Sequence, residues 1–182
     1  MALFTSPCVV GFSGYKHVGK TTLIAALTER FAARGVRVGT IKHDVHGFSG
    51  SPEATDTAKF ARAGAVSILI ADASGHYAVE RYERATPTLQ EFIRLLGEVD
   101  LVLIEGFKYE PFPKWIVLGE NDHSEEGYRV PDYFPDIIHE CDILGAIVPR
   151  PPLSVVNLDL PVYDRNDLDA ITLRIDQLLF TK

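Results

Sequence analysis

Cysteine is scarce. Cys8 and Cys141 are the only two in 182 residues, and they sit in unrelated apolar contexts without C-x-x-C spacing. That pattern suggests neither a disulfide framework nor a thiolate zinc site, and it fits a reducing compartment. Positive charge is also short: Lys plus Arg number 18 against 25 Asp plus Glu, a formal net charge of −7, and no Lys/Arg-rich stretch compensates locally. Sequence-independent nucleic-acid binding needs a basic face, so the charge balance argues against that class. No apolar run approaches the roughly 18 residues of a spanning helix, and Met1 to Phe12 lacks the positive start of a signal peptide. These absences predict a soluble, unprocessed, cytoplasmic protein with no nucleic acid and no membrane among its partners. Gly-Phe-Ser-Gly occurs twice, at Gly11 to Gly14 and Gly47 to Gly50. Four residues are too few to imply duplication, and neither copy fits the G-x-S-x-G nucleophile elbow of a hydrolase.

The rest of the composition is that of an ordinary globular chain, 46% hydrophobic and 24% charged with 14 Gly and 11 Pro. Its length predicts a single domain over residues 1–182, with a polar excursion around 119–139. Cys8 to Phe12 is a short apolar run bounded by Ser13 and Gly14, the pattern of a strand buried on both faces. A helix follows, with Leu23, Ile24, Leu27 and Phe31 on one stripe and Gly35 as its stop. Val36 to Ile41 returns as a strand. After a long polar loop from Lys42 to Thr55, the pattern predicts a helix over Asp56 to Arg62 and strands over Val66 to Ala71 and near Tyr77 to Tyr82. Thr86 and Pro87 read as N-cap and first residue of a helix carrying Leu89, Phe92, Ile93 and Leu96. Asp100 to Gly106 is a further buried strand, Trp115 to Leu118 and Leu144 to Val148 are strand candidates, and a final helix is capped near Asn166. The fold class is therefore α/β around a mostly parallel central sheet, and a G-x-x-x-x-G-K-[ST] match at Gly14 to Thr21, between the first strand and the first helix, makes it a three-layer fold of the P-loop NTPase kind.

Residues 14 to 21 read Gly14, Tyr15, Lys16, His17, Val18, Gly19, Lys20, Thr21, satisfying G-x-x-x-x-G-K-[ST] between a strand and a helix. From the chain's own counts such a match arises by chance about 0.004 times, before the flanking elements are required. The chemistry needs this pattern. The two glycines let the backbone curl around phosphates, the loop N–H groups and helix N-terminus make a positive concavity, Lys20 adds a point charge, and the Thr21 hydroxyl completes a Mg²⁺ shell. Lys16 by itself reads as a solvated loop charge. Glu105 closes a strand at the edge where open α/β sheets bind ligands, which makes it the natural second metal-side group, and Gly106 lets backbone approach a terminal phosphate. Lys42, His43, Asp44 and His46 follow the second strand at that same edge. Lys42 suits a second anionic group, while the histidines with Asp44 are either a short metal-binding loop or a solvated one. Asp56 and Thr57 either cap a helix or touch a metal-bound water, with capping the simpler reading. Asp100, at the other end of its strand, reads as a surface cap.

Together these blocks resemble the molybdopterin-guanine dinucleotide biosynthesis protein B (MobB) family. The resemblance rests on the P-loop, on Thr40-Ile41-Lys42-His43, on Asp56-Thr57 followed by Ala63-Gly64-Ala65, on Glu105-Gly106-Phe107-Lys108 with Glu110-Pro111 and Pro113-Lys114, and on Leu160 to Asp164. It implies a dimeric GTP-binding protein with weak intrinsic GTPase activity that assists a MobA-like nucleotidyltransferase in joining GMP to molybdopterin. By the same resemblance, residues Gly14 to Thr22, including Thr22, would hold GTP and Mg²⁺, Lys20 and Glu105 would be the catalytic pair, Thr21 and Glu105 the metal ligands, and Lys42, His43, Gly106 and Lys108 would face the nucleotide or the pterin. The chain departs from the family at Pro149-Arg150-Pro151-Pro152, where relatives carry an acidic residue near the guanine, and it has no N-K-x-D element. A small kinase or ATP-dependent synthetase acting on an anionic substrate is the alternative that the P-loop alone permits. Between Gly119 and His139 only Arg129 offers a lid arginine, which weakens it.

Overall fold

A computed structural model describes residues 6–44, 55–83, 85–150, 155–156 and 159–180. His46, the second Gly-Phe-Ser-Gly, most of the Lys42 to Thr55 loop and Pro151-Pro152 lie outside them. The chain divides into two compact units, Met1–His43 with Ile93–Lys182, and Asp44–Phe92.

The first unit is built on six strands: β1 (Cys8–Ser13), β2 (Val38–Lys42), β5 (Leu101–Glu105), β6 (Lys114–Val117), β9 (Ile143–Val148) and β10 (Val162–Asp164). They lie in the order β10-β9-β6-β1-β5-β2, and every pairing is parallel. Parallel strands covered on both faces read as continuous apolar runs, and here Leu101, Val102, Leu103 and Ile104 are all fully buried. Alternating side chains divide between two cores. On one face, helices α1 (Lys20–Ala32) and α5 (Leu168–Phe180) bring Leu23, Leu27, Phe31, Ile171 and Ile175 against Val10, Phe12, Trp115 and Val117. Leu27 and Phe31 have no exposure, and each contributes on the order of 2 kcal/mol by leaving water. On the other face, Ile116, Leu118, Ala146 and Val148 meet Tyr128, Phe134 and Ile137. These last come from the segment after Gly119, which adds no strand to the sheet. It forms the short hairpin β7 (His123–Ser124) with β8 (Gly127–Tyr128), and then α4 (Phe134–Ile137).

Pairing of β6 with β9 shifts register between Lys114 and Trp115, which oppose Ile143 and Gly145 and leave Leu144 as the extra residue of a bulge. The bulge puts Leu144 and Ile147 in the same core. Gly145 sits at φ 141°, and a Cβ there would fall 2.3 Å from Pro161 O.

The second unit contains α2 (Asp56–Arg62) and an antiparallel hairpin of β3 (Ser67–Ala71) with β4 (Tyr77–Arg81), which is a separate sheet. Thr55, rather than Asp56 or Thr57, caps α2 by accepting from Ala58 N at 3.3 Å, and Asp56 pairs with Lys59. Helix α3 (Leu89–Leu95) starts later than Thr86-Pro87 suggests. Thr88 and Glu91 form a reciprocal capping box, Thr88 N donating to Glu91 Oε2 at 2.7 Å and Glu91 N to Thr88 Oγ1 at 3.3 Å. Similarly the Asp167 carboxylate, one residue past Asn166, accepts from Ala170 N at 3.0 Å at the start of α5. Among the described residues no helix is long and apolar enough to cross a membrane.

Candidate functional site

Parallel pairing aligns the C-terminal ends of three strands. Phe12 of β1 and Lys42 of β2 both register with Glu105 of β5. The Gly14 to Gly19 loop leaves β1 at that edge and enters α1, with Gly19 as N-cap in the left-handed region at φ 91°. Gly14 has φ 155°, and a Cβ there would stand 2.2 Å from Val117 O, so the loop packs backbone to backbone on β6. Val18 is buried and anchors the loop from below, while Tyr15, Lys16 and His17 are exposed, His17 at φ 63°. Positive φ at a non-glycine residue marks a conformation that the surroundings must enforce.

Lys20, on the first turn of α1, folds back over this loop. Its Nζ donates to Tyr15 O at 2.5 Å and Gly14 O at 3.1 Å. Burial lowers its pKa, Glu105 opposes that shift, and Lys42 adds to it. The Thr21 hydroxyl donates to Glu105 Oε2 at 2.7 Å, Lys42 Nζ lies 3.5 Å from Glu105 Oε1, and Lys42 Nζ donates weakly to Thr21 Oγ1 at 3.4 Å. Thr22 is the next exposed residue of the helix. A hydroxyl beside a carboxylate is a hard oxygen pair of the kind Mg²⁺ takes, and a lysine laid across loop carbonyls is placed to exchange them for phosphate oxygens. The donor set therefore fits a magnesium-bound phosphate ester.

Beyond Glu105 the chain turns sharply through Gly106 at φ 98° and Phe107 at φ 48°. Gly106 has no room for a side chain, since a Cβ would lie 2.8 Å from His43 O. His43 stacks on Phe107, ring centroids 4.3 Å apart, rather than joining Lys42 at the carboxylate. Lys108 lies apart from both, its Nζ over the rings of Tyr133 at 4.3 Å and Tyr109 at 4.8 Å. Tyr133 in turn packs edge-on against Tyr15 of the loop, whose hydroxyl accepts from Asp132 N at 3.1 Å. Burial pushes the Tyr133 hydroxyl pKa well up. So Lys20, Thr21, Lys42 and Glu105 form one cluster, His43 with Phe107 a second, and Lys108 with Tyr133 a third. Asp44 falls in the other unit.

Residues 9–138 match the family model described as MobB, molybdopterin guanine dinucleotide synthesis protein B. The chain belongs to this family. A relative from Bacillus subtilis (strain 168), named "Probable molybdopterin-guanine dinucleotide biosynthesis adapter protein", is 30% identical over 182 residues, spanning 98% of this chain and 97% of its own. The Haemophilus influenzae protein named a molybdopterin-guanine dinucleotide biosynthesis adapter protein is 36% identical over 134 residues, 69% of this chain and 70% of its own. Among solved structures, the crystal structure of a MobB protein homolog from Bacillus stearothermophilus superposes with TM-score 0.67 at 26% identity, covering 96% of this chain and 99% of that one. A crystal structure of Bacillus subtilis MobB gives TM-score 0.69 at 26% identity over 93% of this chain and 96% of that one. The α/β fold with its parallel central sheet is thus the MobB fold.

Two residues escaped the sequence reading as individuals. Lys114 is completely buried, and its ammonium donates to the carbonyls of Phe107 at 3.1 Å, Lys108 at 2.8 Å and Glu110 at 2.7 Å, above the Phe112 ring. Arg165 follows β10, a strand too short and too close to Pro161 to announce itself. The only sequence signal for either was its neighbourhood in the MobB-like blocks.

Proposed function

We propose that this chain is a GTP-binding adapter of molybdenum cofactor biosynthesis, assisting a MobA-like nucleotidyltransferase in attaching GMP to molybdopterin. The observation that carries this is the cluster of Lys20, Thr21, Lys42 and Glu105 around the Gly14 to Gly19 loop, taken with relatives named as adapters in that biosynthesis. In this reading the loop N–H groups and Lys20 hold the phosphates, and Thr21 and Glu105 hold Mg²⁺, which supplies charge neutralisation when bound. Lys20 leaves the loop carbonyls for the terminal phosphates, and Lys42 orients the Glu105 carboxylate. Gly106 brings backbone close to the terminal phosphate. Lys108, over Tyr109 and Tyr133, and His43, on Phe107, are the groups at hand for the pterin. No arginine enters the metal-side cluster among the described residues, which supports slow intrinsic hydrolysis and an adapter role rather than a fast enzyme.

The protein acts in the cytoplasm as a homodimer. Cys8 and Cys141 are buried and form no disulfide. On the β3–β4 hairpin, Leu69 registers with Val79 and Ala71 with Tyr77, giving an exposed apolar face of the kind that a second copy covers. The test is paired titration with GTP and ATP in Mg²⁺, followed by capture of a MobA-like transferase. Preference for GTP with capture of the transferase supports the reading. Equal affinity for ATP and no capture overturns it in favour of a kinase or synthetase.

A further inference from the structure

Arg165 stands just past the C-terminal end of β10, where its backbone N–H donates to Val148 O at 2.8 Å. Its Nη2 donates to Leu118 O at 2.9 Å. From these two anchors the guanidinium reaches the Gly14 to Gly19 loop. A Cβ on Gly19 would fall 2.9 Å from Nη1 and 3.2 Å from Cζ, so the position accepts a glycine and the arginine fills the space beside it. The Nε is buried without a hydrogen-bond partner. Among the described residues no carboxylate lies within ion-pair distance of Arg165, whereas Arg150 on the same side is paired with Glu120 at 2.9 Å. A half-buried cation without a counter-ion, held against an anion-binding loop, is costly until an anion arrives.

The strand order says which part of the ligand that anion belongs to. Thr21, Lys42 and Glu105 lie on the side of the loop facing β5 and β2, while Leu118, Val148 and Arg165 lie on the side facing β6, β9 and β10. A nucleoside triphosphate is a linear molecule. With its metal and terminal phosphates on the first side, its α-phosphate and nucleoside extend over Gly19 to the second, along the crevice at the strand ends where the order reverses. We propose that Arg165 binds the α-phosphate end of the nucleotide, the part shared by nucleoside di- and triphosphates. This rests on the nucleotide reading of the loop. Arg165 then adds affinity at the α-phosphate end, and Lys20 and Glu105 hold the terminal phosphates.

The test is Arg165→Gln, which keeps a donor for Leu118 O and removes the charge, titrated with GTP, GDP and inorganic pyrophosphate in Mg²⁺. The expected result is a loss of about tenfold to a hundredfold for GTP and GDP alike, the range of one charge-assisted hydrogen bond, with pyrophosphate unchanged. Arg165→Lys, which keeps the charge without the planar fork, should lose GDP affinity by a smaller factor and retain the wild-type melting temperature. Unchanged GDP affinity in both variants overturns the assignment. So does an equal loss for pyrophosphate, which would move Arg165 to the terminal phosphates. If the wild-type protein binds none of the three, the reading of the loop itself fails and takes this one with it.

Discussion

The Thr21 hydroxyl donates to Glu105 Oε2 at 2.7 Å, across 84 positions of sequence. Helix α1 supplies one partner and the end of β5 the other, and the parallel register of β1, β5 and β2 puts Lys42 on the same carboxylate at 3.5 Å. The hydroxyl therefore occupies a lone pair that a hard metal ion would claim.

If this pair holds Mg²⁺, Glu105→Gln separates metal binding from phosphate binding. The expected outcome is that the gain in GTP affinity on adding Mg²⁺ falls by at least about tenfold, while affinity in EDTA stays within about twofold of wild type. Calorimetric titration with and without Mg²⁺ measures both. A variant that keeps the full magnesium gain removes Glu105 from the metal site.

Lys114 gives a prediction about stability. Its three donors reach three carbonyls of the turn after Glu105, so Lys114→Met takes the charged donor from all three and leaves them only the N–H of Glu110, the N–H of Phe112 and the Cys141 thiol. The cost should be about 3 kcal/mol, or roughly 6 to 12 °C in melting temperature. Calorimetry or thermal unfolding followed by circular dichroism reads it. A shift below about 2 °C would mean that water replaces the ammonium.

Much of this architecture is legible in the residues. Runs such as Leu101 to Ile104 and stripes such as Leu23, Leu27 and Phe31 depend only on periodicity, and they mark β5 and α1 correctly. The motif at Gly14 to Thr21 is legible because strand, glycines and helix are contiguous. The helix over Asp56 to Arg62 has the bounds its pattern predicts, but the capping residues Thr55, Thr88 and Asp167 each stand one or two positions from the expected ones, because several capping side chains stand in a row and only hydrogen-bond geometry chooses among them. The partition of Lys42, His43 and Lys108 into separate clusters was not legible either. It depends on the left-handed turn at Gly106 and Phe107, which points neighbouring side chains in different directions. Strand β10, and Arg165 after it, depend on pairing with β9 and leave almost no local signature.

The hairpin in the second unit supports a prediction about assembly. Leu69→Glu places a charge in the apolar face formed with Val79 and Tyr77. Sedimentation velocity should show the wild type as a dimer and the variant as largely monomer, with the circular dichroism spectrum preserved. A dimer that survives the charge places the interface elsewhere.

Arg37 and Asp100 join β2 to the start of β5, with Arg37 Nη2 to Asp100 Oδ1 at 2.8 Å and Arg37 N to Asp100 Oδ2 at 2.9 Å. The Arg37 side chain, more than its backbone N–H, lowers the Asp100 pKa from 3.8. A carboxylate whose folded pKa is depressed contributes stability that is present above the unfolded value and lost as pH falls through the folded one. Asp100→Asn should therefore melt below wild type at pH 7, with the gap closing as the pH falls below 3.8 and through the lowered folded value. Melting curves across that range test the sign, and a gap that widens in acid would contradict it.

The most direct test of the central claim is the affinity of wild type and Lys20→Ala for Mg²⁺-GTP, measured side by side. Lys20 now bridges Tyr15 O and Gly14 O, and phosphate binding requires it to exchange those carbonyls for phosphate oxygens. A phosphate site predicts a loss of about a hundredfold or more in the variant, since a charge-assisted contact to a multiply charged anion disappears. Equal affinity for the two proteins would mean that GTP binds elsewhere, and the loop from Gly14 to Thr21 would not be the nucleotide site.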